Sequence, residues 1–501
     1  MSLTNLIDPP RSLLPFKFSV PRPTADATKK ILPILATVVA FLWCVALFFF
    51  GITRGELVRN ETLRAILAAE MLHSGDYVVP RLYGEPLLTK PPLHYWLIAL
   101  ASSPVGKVTE GTARVPAAVA ATLVVLLVFH HLSRLGGLRR GFVTALLLPC
   151  SFMWLEKATS AEIDMVLVAW VTAAMLMLDR AVEAEESGAS HFSVWGWWLA
   201  ALLCVAGGVM TKWLAWLFFY LAAVPFLFWR GRLSSIFRGP HLVAASLATG
   251  LCLWWFVLLV ERVGWAPFWE QFHAEAAPRL LHTANRSDRI FVETLYHPLL
   301  VWCVGLPTTL LLPIYLVRRW RGVLEIDGRT RRFEQLLHCW LWPNLALLTL
   351  LPDHSLRNSF PILPAMAMLG SLAMALHRRR TLYLLGICVF AWLGVKLVYV
   401  DVVQPRRYES RQAVAKAAEL RRHVPMDATL YLCGVKDEGL MFYFNGPVRR
   451  WSGECTDPRG QYVLYSQPAW YREVGSSCHR SVLAHLRDAQ GDPLILALTS
   501  R

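Results

Sequence analysis

Charged residues in this largely apolar chain fall into a few short stretches. The richest, GELVRNETLRAILAAEMLHSGDYVVPRLYGEPLLTKPPLHYW, spans residues 55–96. Between Thr62 and Leu72 its apolar residues recur at helical spacing, which predicts an amphipathic surface helix. Glu56 and Glu61 stand before or at its start and Glu70 near its end, while Lys90 precedes a Pro-Pro pair that stops any helix. Such charges can hold the charged groups of a substrate. The plainer alternative is that the acids cap the helix dipole and Lys90 snorkels. Asp164, in AEIDMVLVAWV, stands at the mouth of an apolar run, where an acid is costly unless paired or solvated in a cavity. Lys212, in GGVMTKWLAW, lies between two further apolar runs. Residues 265–294 hold His273, Glu275, Arg279, His282, Arg286, Asp288 and Arg289, a density of charge suited to a phosphate or sugar phosphate, or simply a solvated loop. In PDHSLRNSFPILP, His354 and Arg357 again sit at the edge of an apolar run, and a guanidinium forks well onto phosphate oxygens.

The elements that must position these groups belong to a membrane. With 501 residues, 55% of them hydrophobic, and a mean hydropathy of +0.42, the chain carries more apolar surface than one water-facing domain could bury. The formal charge of +15 gathers between apolar stretches, which suits lipid headgroups and topology and argues against nucleic acid. The 21 tryptophans fit membrane interfaces. Apolar segments at about 31–52, 113–133, 141–158, 163–180, 195–210, 213–229, 240–263, 295–317, 335–351, 359–376 and 381–400 predict about eleven spans. The first run is too long for the apolar region of a signal peptide.

Alternating the loops puts the arginine clusters at 134–140, 230–238, 318–332 and 378–380 on the side of the N-terminus, which the positive-inside rule makes cytoplasmic. Residues 1–30 then form a cytoplasmic segment and 31–401 the transmembrane domain. Residues 53–112 and 264–294 are its large extracytoplasmic loops, and 402–501 an extracytoplasmic α/β or α+β domain. In that last part Tyr408–Arg422 reads as helix, and Ala428–Cys433 and Gly460–Tyr465 as strands. Its three cysteines, Cys433, Cys455 and Cys478, allow at most one disulfide, and no Cys/His spacing suggests zinc.

The run NETLRAILAAEMLHSGDYVVPRLYGEPLLTKPPLHYWLIAL, with TARVPAAVAA, EIDM and LRNSFPILP in that order, resembles the GT-C glycosyltransferases that include protein O-mannosyltransferases and the bacterial aminoarabinose transferase of lipid A. The resemblance implies an all-α polytopic membrane domain, a polyprenyl-phosphate sugar donor, a cavity at the extracytoplasmic face and transfer with inversion to a lipid, glycan or protein acceptor. It also implies a catalytic acid in the first loop, usually Asp followed by Glu. Here that pair is Asn60-Glu61, and an amide cannot act as a general base, so the task falls to Glu61 or Asp164. Thr89 stands where the lipid A transferases have a glutamate before the lysine, which removes one ligand from any metal site there. The carboxylates could still hold a divalent cation or act alone, so the sequence leaves the cofactor open.

Carried over by position, Lys90 would meet the donor phosphate, Asp164 would sit near the acceptor or sugar, Arg357 would help the phosphate leave and Tyr95 would pack near the donor. The charges read above add His354 and Lys212 to the phosphate site. With the charged residues of the two large loops, Glu56, Asn60, Tyr95, His273, Glu275 and Arg279 are expected to line the substrate cavity. Two rival readings use the same features: a transporter or flippase of lipid-linked sugars, which the lack of inverted repeats disfavours, and an inactive relative acting as a binding partner, to which Asn60 points.

Overall fold

A computed structural model describes residues 25–281, 287–324, 326–351, 353–374, 379–409, 411–453, 460–472 and 478–500. The first described element is α1 (Ala25–Cys44), which runs on through a π-turn at Val45–Phe49. The first loop holds α2 (Asn60–Ser74), a two-stranded hairpin of β1 (Arg81–Leu82) and β2 (Glu85–Pro86), and α3 (Leu93–Ser102). The amphipathic helix expected over 62–72 is thus present, and Gly75 ends it in the left-handed conformation at φ 70° that a residue without Cβ adopts freely. Then come α4 (Glu110–Gly136), α5 (Leu138–Leu147), α6 (Phe152–Lys157), α7 (Ile163–Glu186), α8 (His191–Thr211), α9 (Ala215–Trp229) and α10 (Gly239–Val263). The bundle is completed by α11 (Trp265–Leu281), α12 (Ser287–Val304), α13 (Leu311–Trp320), α14 (Gly328–Leu350), a 3-10 helix at Leu356–Ile362, α15 (Leu363–Leu372) and α16 (Arg379–Val398).

The chain is a multi-pass membrane protein: among the described residues six helices are long and apolar enough to cross a bilayer. Other expected spans are shorter or interrupted. The run 141–158 divides into α5 and α6 around Pro149, and 295–317 into α12 and α13 around Pro307. Proline removes a backbone donor and breaks the helix. The two breaks face each other and share the exposed backbone groups. Phe152 N–H donates to Leu306 O at 3.1 Å, and the Thr308 hydroxyl donates to Cys150 O and Leu147 O at 2.5 and 2.9 Å. Irregular backbone between spans is tolerable when protein satisfies it in this way.

Helix α7 is the central element: 72% of its apolar window is buried inside the protein, against 17% for the helix through Arg379–Arg406. Helix α8 comes close to it because residue 207 is glycine. A Cβ there would lie 2.6 Å from the Trp170 ring. That close approach fixes the end of α8, and so Lys212, relative to the start of α7.

The C-terminal part contains α17 (Gln404–Glu409), α18 (Ala413–Arg421), β3 (Leu430–Cys433), α19 (Glu438–Phe444), β4 (Val448–Arg450), β5 (Gln461–Ser466), α20 (Gln467–Arg472), β6 (His479–Arg487) and β7 (Pro493–Ser500). The sheet order is β4-β3-β5-β7-β6, with β3 parallel to β4 and β5, and β7 antiparallel to β5 and β6. Helix α18 and strands β3 and β5 lie where the sequence predicts them. Cys478 is disulfide-bonded, while Cys455 lies outside the described residues. Ile66 of α2 and Tyr83 of the hairpin pack against the apolar core of this unit, so α2 is covered by protein rather than lying bare on a membrane surface.

Candidate functional site

The start of α7 is where the polar side chains converge. Ser151 caps α6 by accepting from Trp154 N–H at 3.4 Å, and α6 ends at Lys157. A short link then leads to Glu162, which has extended backbone at φ −104° and ψ 155° and is the last residue before α7. Asp164 follows in the first turn, where the helix dipole favours an acid.

Asp164 is buried, 4% exposed. Its carboxyl and that of Glu162 lie within electrostatic reach of each other. Lys157 forms an ion pair with Glu162 at 2.5 Å, and Arg357 lies within electrostatic reach of both acids. Lys212, in extended backbone just after α8, acts on Asp164 as well, and its ammonium donates to Asn358 Oδ1 at 2.7 Å. Arg357 and Asn358 are carried by the 3-10 helix at Leu356–Ile362, which packs against α7. Burial alone would raise the Glu162 carboxyl. The Lys157 ammonium, aided by Arg357, outweighs that and holds it below the usual carboxylate range. Lys157 also lies 3.5 Å from Glu156. Lys157, Lys212 and Arg357 thus gather with the acids at one helix start, where cations can meet an anionic ligand.

The first loop fixes the backbone that presents this pair. Glu61 accepts from Ala161 N–H at 2.9 Å, from Val58 N–H at 3.1 Å, and from Arg114 at 3.0 and 3.4 Å. Arg114 itself is 1% exposed and also donates to the carbonyls of Ile52, Arg54, Gly55 and Glu56. On the other side His94 Nε2 lies 3.2 Å from Ala161 O. A carbonyl only accepts, so Nε2 carries the proton. Burial, chiefly, pushes the His94 imidazole down to about 4. Residue 161 is therefore held through both its N–H and its C=O, one position before Glu162.

Lys90 stands at the mouth of α3, with its ammonium 3.2 Å from Thr89 O. Leu88 and Leu93, on either side of it, share an apolar cluster with Met210 and Trp213, which flank Lys212. Beside Lys90 a cavity of about 430 Å³ is lined by Glu85, Pro86, Thr89 and Gln271, with Arg450 of β4 as its wall from the C-terminal unit. Arg450 pairs with Glu85 at 2.9 Å. Among the described residues no three or more His, Cys, Asp or Glu side chains gather as a metal site.

Other residues singled out from the sequence are placed elsewhere. Glu56 caps α18, accepting from Ala413 and Val414 N–H at 2.9 and 3.0 Å. Tyr95 is fully buried and its hydroxyl accepts from Arg64 at 2.6 Å. Asn60 opens α2 and is half-buried. His354 lies in a polar group with His297, its Nε2 3.1 Å from both Thr294 Oγ1 and Thr349 O. His273 is exposed, edge-on to Trp269. The side chains of Glu275, Arg279, Asp288 and Arg289, together with His282 and Arg286, lie outside the described residues. Sequence reasoning missed Glu162, Lys157, Asn358 and Arg114. Glu162 was there to be found two positions before Asp164, the spacing that puts both at one helix start.

Comparison with known proteins bears on this arrangement. Residues 89–258, from Thr89 into α10, match the family model described as dolichyl-phosphate-mannose-protein mannosyltransferase. An undecaprenyl phosphate-α-4-amino-4-deoxy-L-arabinose arabinosyl transferase of Pseudomonas savastanoi pv. phaseolicola is 27% identical over 70% of this chain and 64% of its own length. One from Pseudomonas aeruginosa is 30% identical over 56% of this chain and 50% of its own. The chain therefore spans less than two thirds of the curated relatives it matches. Among solved structures, ArnT from Cupriavidus metallidurans bound to undecaprenyl phosphate superposes with a TM-score of 0.69 at 17% identity, covering 94% of this chain and 98% of that one. The oligosaccharyltransferase AglB from Archaeoglobus fulgidus superposes with a TM-score of 0.53 at 11% identity, over 88% and 70%. The likeness is one of fold.

Proposed function

We propose, from the premise that the chain belongs by fold to the GT-C superfamily, that it is an integral membrane glycosyltransferase moving a sugar from a polyprenyl-phosphate donor to an extracytoplasmic acceptor with inversion at the anomeric carbon. The observation that carries this reading is the buried Glu162–Asp164 pair faced by Lys157, Lys212 and Arg357. Lys90, Lys212 and Arg357 bind the donor phosphate. An oxygen of the acceptor attacks the anomeric carbon while the sugar–phosphate bond breaks, and the electron pair leaves with the phosphate. Fixed cations stabilise the charge that grows there. Where the acceptor is a hydroxyl, Asp164 takes its proton and aims it along the line of attack. Glu162 anchors Lys157 near Asp164, and Glu61, whose oxygens are already taken, positions the backbone rather than acting as base. His354, bonded to Thr294 and Thr349, supports the turn that leads into the 3-10 helix carrying Arg357.

In this reading about eleven segments cross the membrane, the N-terminus is cytoplasmic, and residues 402–501 form an extracytoplasmic domain. That domain closes over the first loop through Glu56, Arg450 and α19, and the cavity beside Lys90 lies where an acceptor would meet the donor. The names of the curated relatives make undecaprenyl phosphate 4-amino-4-deoxy-L-arabinose the first donor to try, and the resemblance to the lipid A transferases puts lipid A among the acceptors to offer.

The test is transfer of radiolabelled sugar from polyprenyl-phosphate donors by purified protein in nanodiscs. Transfer by the wild type that Lys90→Ala and Asp164→Asn abolish, with folding intact, supports the reading. A wild type that binds donor yet never breaks its sugar–phosphate bond with lipid, glycan or protein acceptors, or with water, turns it toward an inactive relative.

A further inference from the structure

Helix α7 carries a second charged site at its other end. Asp164 and Glu183 are separated by roughly 28 Å at 1.5 Å per residue, close to the hydrocarbon thickness of about 30 Å. The cavity around Glu183 therefore opens at the opposite membrane face from the Glu162–Asp164 pair. It measures about 450 Å³, and Arg134 of α4, Arg180, Glu183 and Glu186 of α7, and Arg329 and Arg332 of α14 line it.

The charges there do not balance. Glu183 alone serves three guanidiniums: Arg134 and Arg180 each reach Oε2 at 2.5 Å, and Arg332 reaches Oε1 at 3.4 Å. Glu186 is divided between Arg332 at 3.8 Å and Arg230, behind the wall, at 2.6 Å. The fully buried Asp179, also behind the wall, is bound by Arg332 at 2.9 Å. Arg230 and Asp179 cancel, so four lining guanidiniums against two carboxylates leave a surplus of two positive charges. Arg329 has no ion-pair partner among the described residues and is exposed at the cavity rim. Arg180 additionally lies 4.7 Å over the Trp197 ring, placing an indole at the cavity mouth, as at a headgroup level. Guanidiniums converging on a polar cavity at a bilayer face match the three acceptor oxygens and the charge of a phosphate group.

We infer that this cavity binds a phosphate-bearing anion, supplied by the headgroup of an anionic phospholipid in the leaflet at that face. A lipid headgroup and free phosphate offer the same chemistry, and the experiment separates them. Delipidated wild-type protein is titrated with phosphatidylglycerol, phosphatidylcholine or inorganic phosphate, with bound lipid read by native mass spectrometry and melting temperature read alongside. The same titrations are run on Arg329→Gln and Arg180→Gln.

Phosphatidylglycerol is expected to bind in preference to phosphatidylcholine, and each substitution to weaken it roughly fivefold. The exposed Arg329→Gln should leave the lipid-free melting temperature unchanged. Inorganic phosphate that stabilises the wild type and displaces phosphatidylglycerol, with both effects lost in the variants, keeps the phosphate site and moves its source to the free anion. Phosphatidylglycerol bound no better than phosphatidylcholine with no response to phosphate, or equal binding by wild type and both variants, overturns the inference.

Discussion

Glu61 and Asp164 are equally hidden, each 4% exposed, yet they are surrounded in different ways. Glu61 is saturated: a guanidinium and two backbone N–H groups occupy its oxygens. Asp164 faces Glu162 and the cations of Lys212, Lys157 and Arg357 through electrostatic interaction. A carboxylate whose acceptor sites are filled serves the fold, because releasing one would strand a buried cation. In the proposed reading the carboxylate set among cations at the start of α7 is the one that meets the substrate. Burial alone does not separate the two roles; the partners do.

Breaking each carboxylate in turn sharpens that contrast. The largest effect is expected from Asp164→Asn, which should lower turnover about 10²–10⁴-fold, the usual weight of a general base, while the melting temperature barely moves. Glu61→Gln should act the other way, costing about 3–5 kcal/mol of stability by leaving Arg114 buried without its carboxylate, as read from denaturant or thermal unfolding. Next comes pH. Between about 6.5 and 4 the unfolded chain takes up the proton that buried His94 refuses, so stability falls as pH falls through this window. The total loss is roughly 3 kcal/mol, and His94→Gln, which keeps a donor for Ala161 O, should flatten the slope of melting temperature against pH. The smallest effect belongs to Glu56→Ala. Loss of its cap on α18 should cost about 1 kcal/mol, seen as faster proteolytic release of the C-terminal sheet.

Much of this was legible in the residues. The helix at 62–72, the strands in the tail and the membrane class followed from spacing and composition. Asp164, Lys212 and Arg357 stood out because an ionisable group at the edge of an apolar run must have a partner. What the sequence did not show was which partner. Arg114 sits in TARVPAAVAA with nothing nearby to mark it as the cation for Glu61, 53 positions away, and that single long-range contact decides which acid is spent on structure. Glu56 and Tyr95 were misplaced for the same reason, since their partners, α18 and Arg64, are set by packing. The prolines at 149 and 307 were visible, but not that their breaks would face each other and share backbone groups.

The most direct test of the central claim measures single-turnover cleavage of the donor sugar–phosphate bond by Asp164→Asn and Glu61→Gln side by side. It is run with saturating donor and acceptor, at a temperature where circular dichroism shows both variants folded. The account predicts that Asp164→Asn binds donor and stays folded but transfers at a small fraction of the wild-type rate, while folded Glu61→Gln retains most of it. Near-normal transfer by Asp164→Asn, with transfer abolished in folded Glu61→Gln, would contradict the account and return the catalytic role to the first loop.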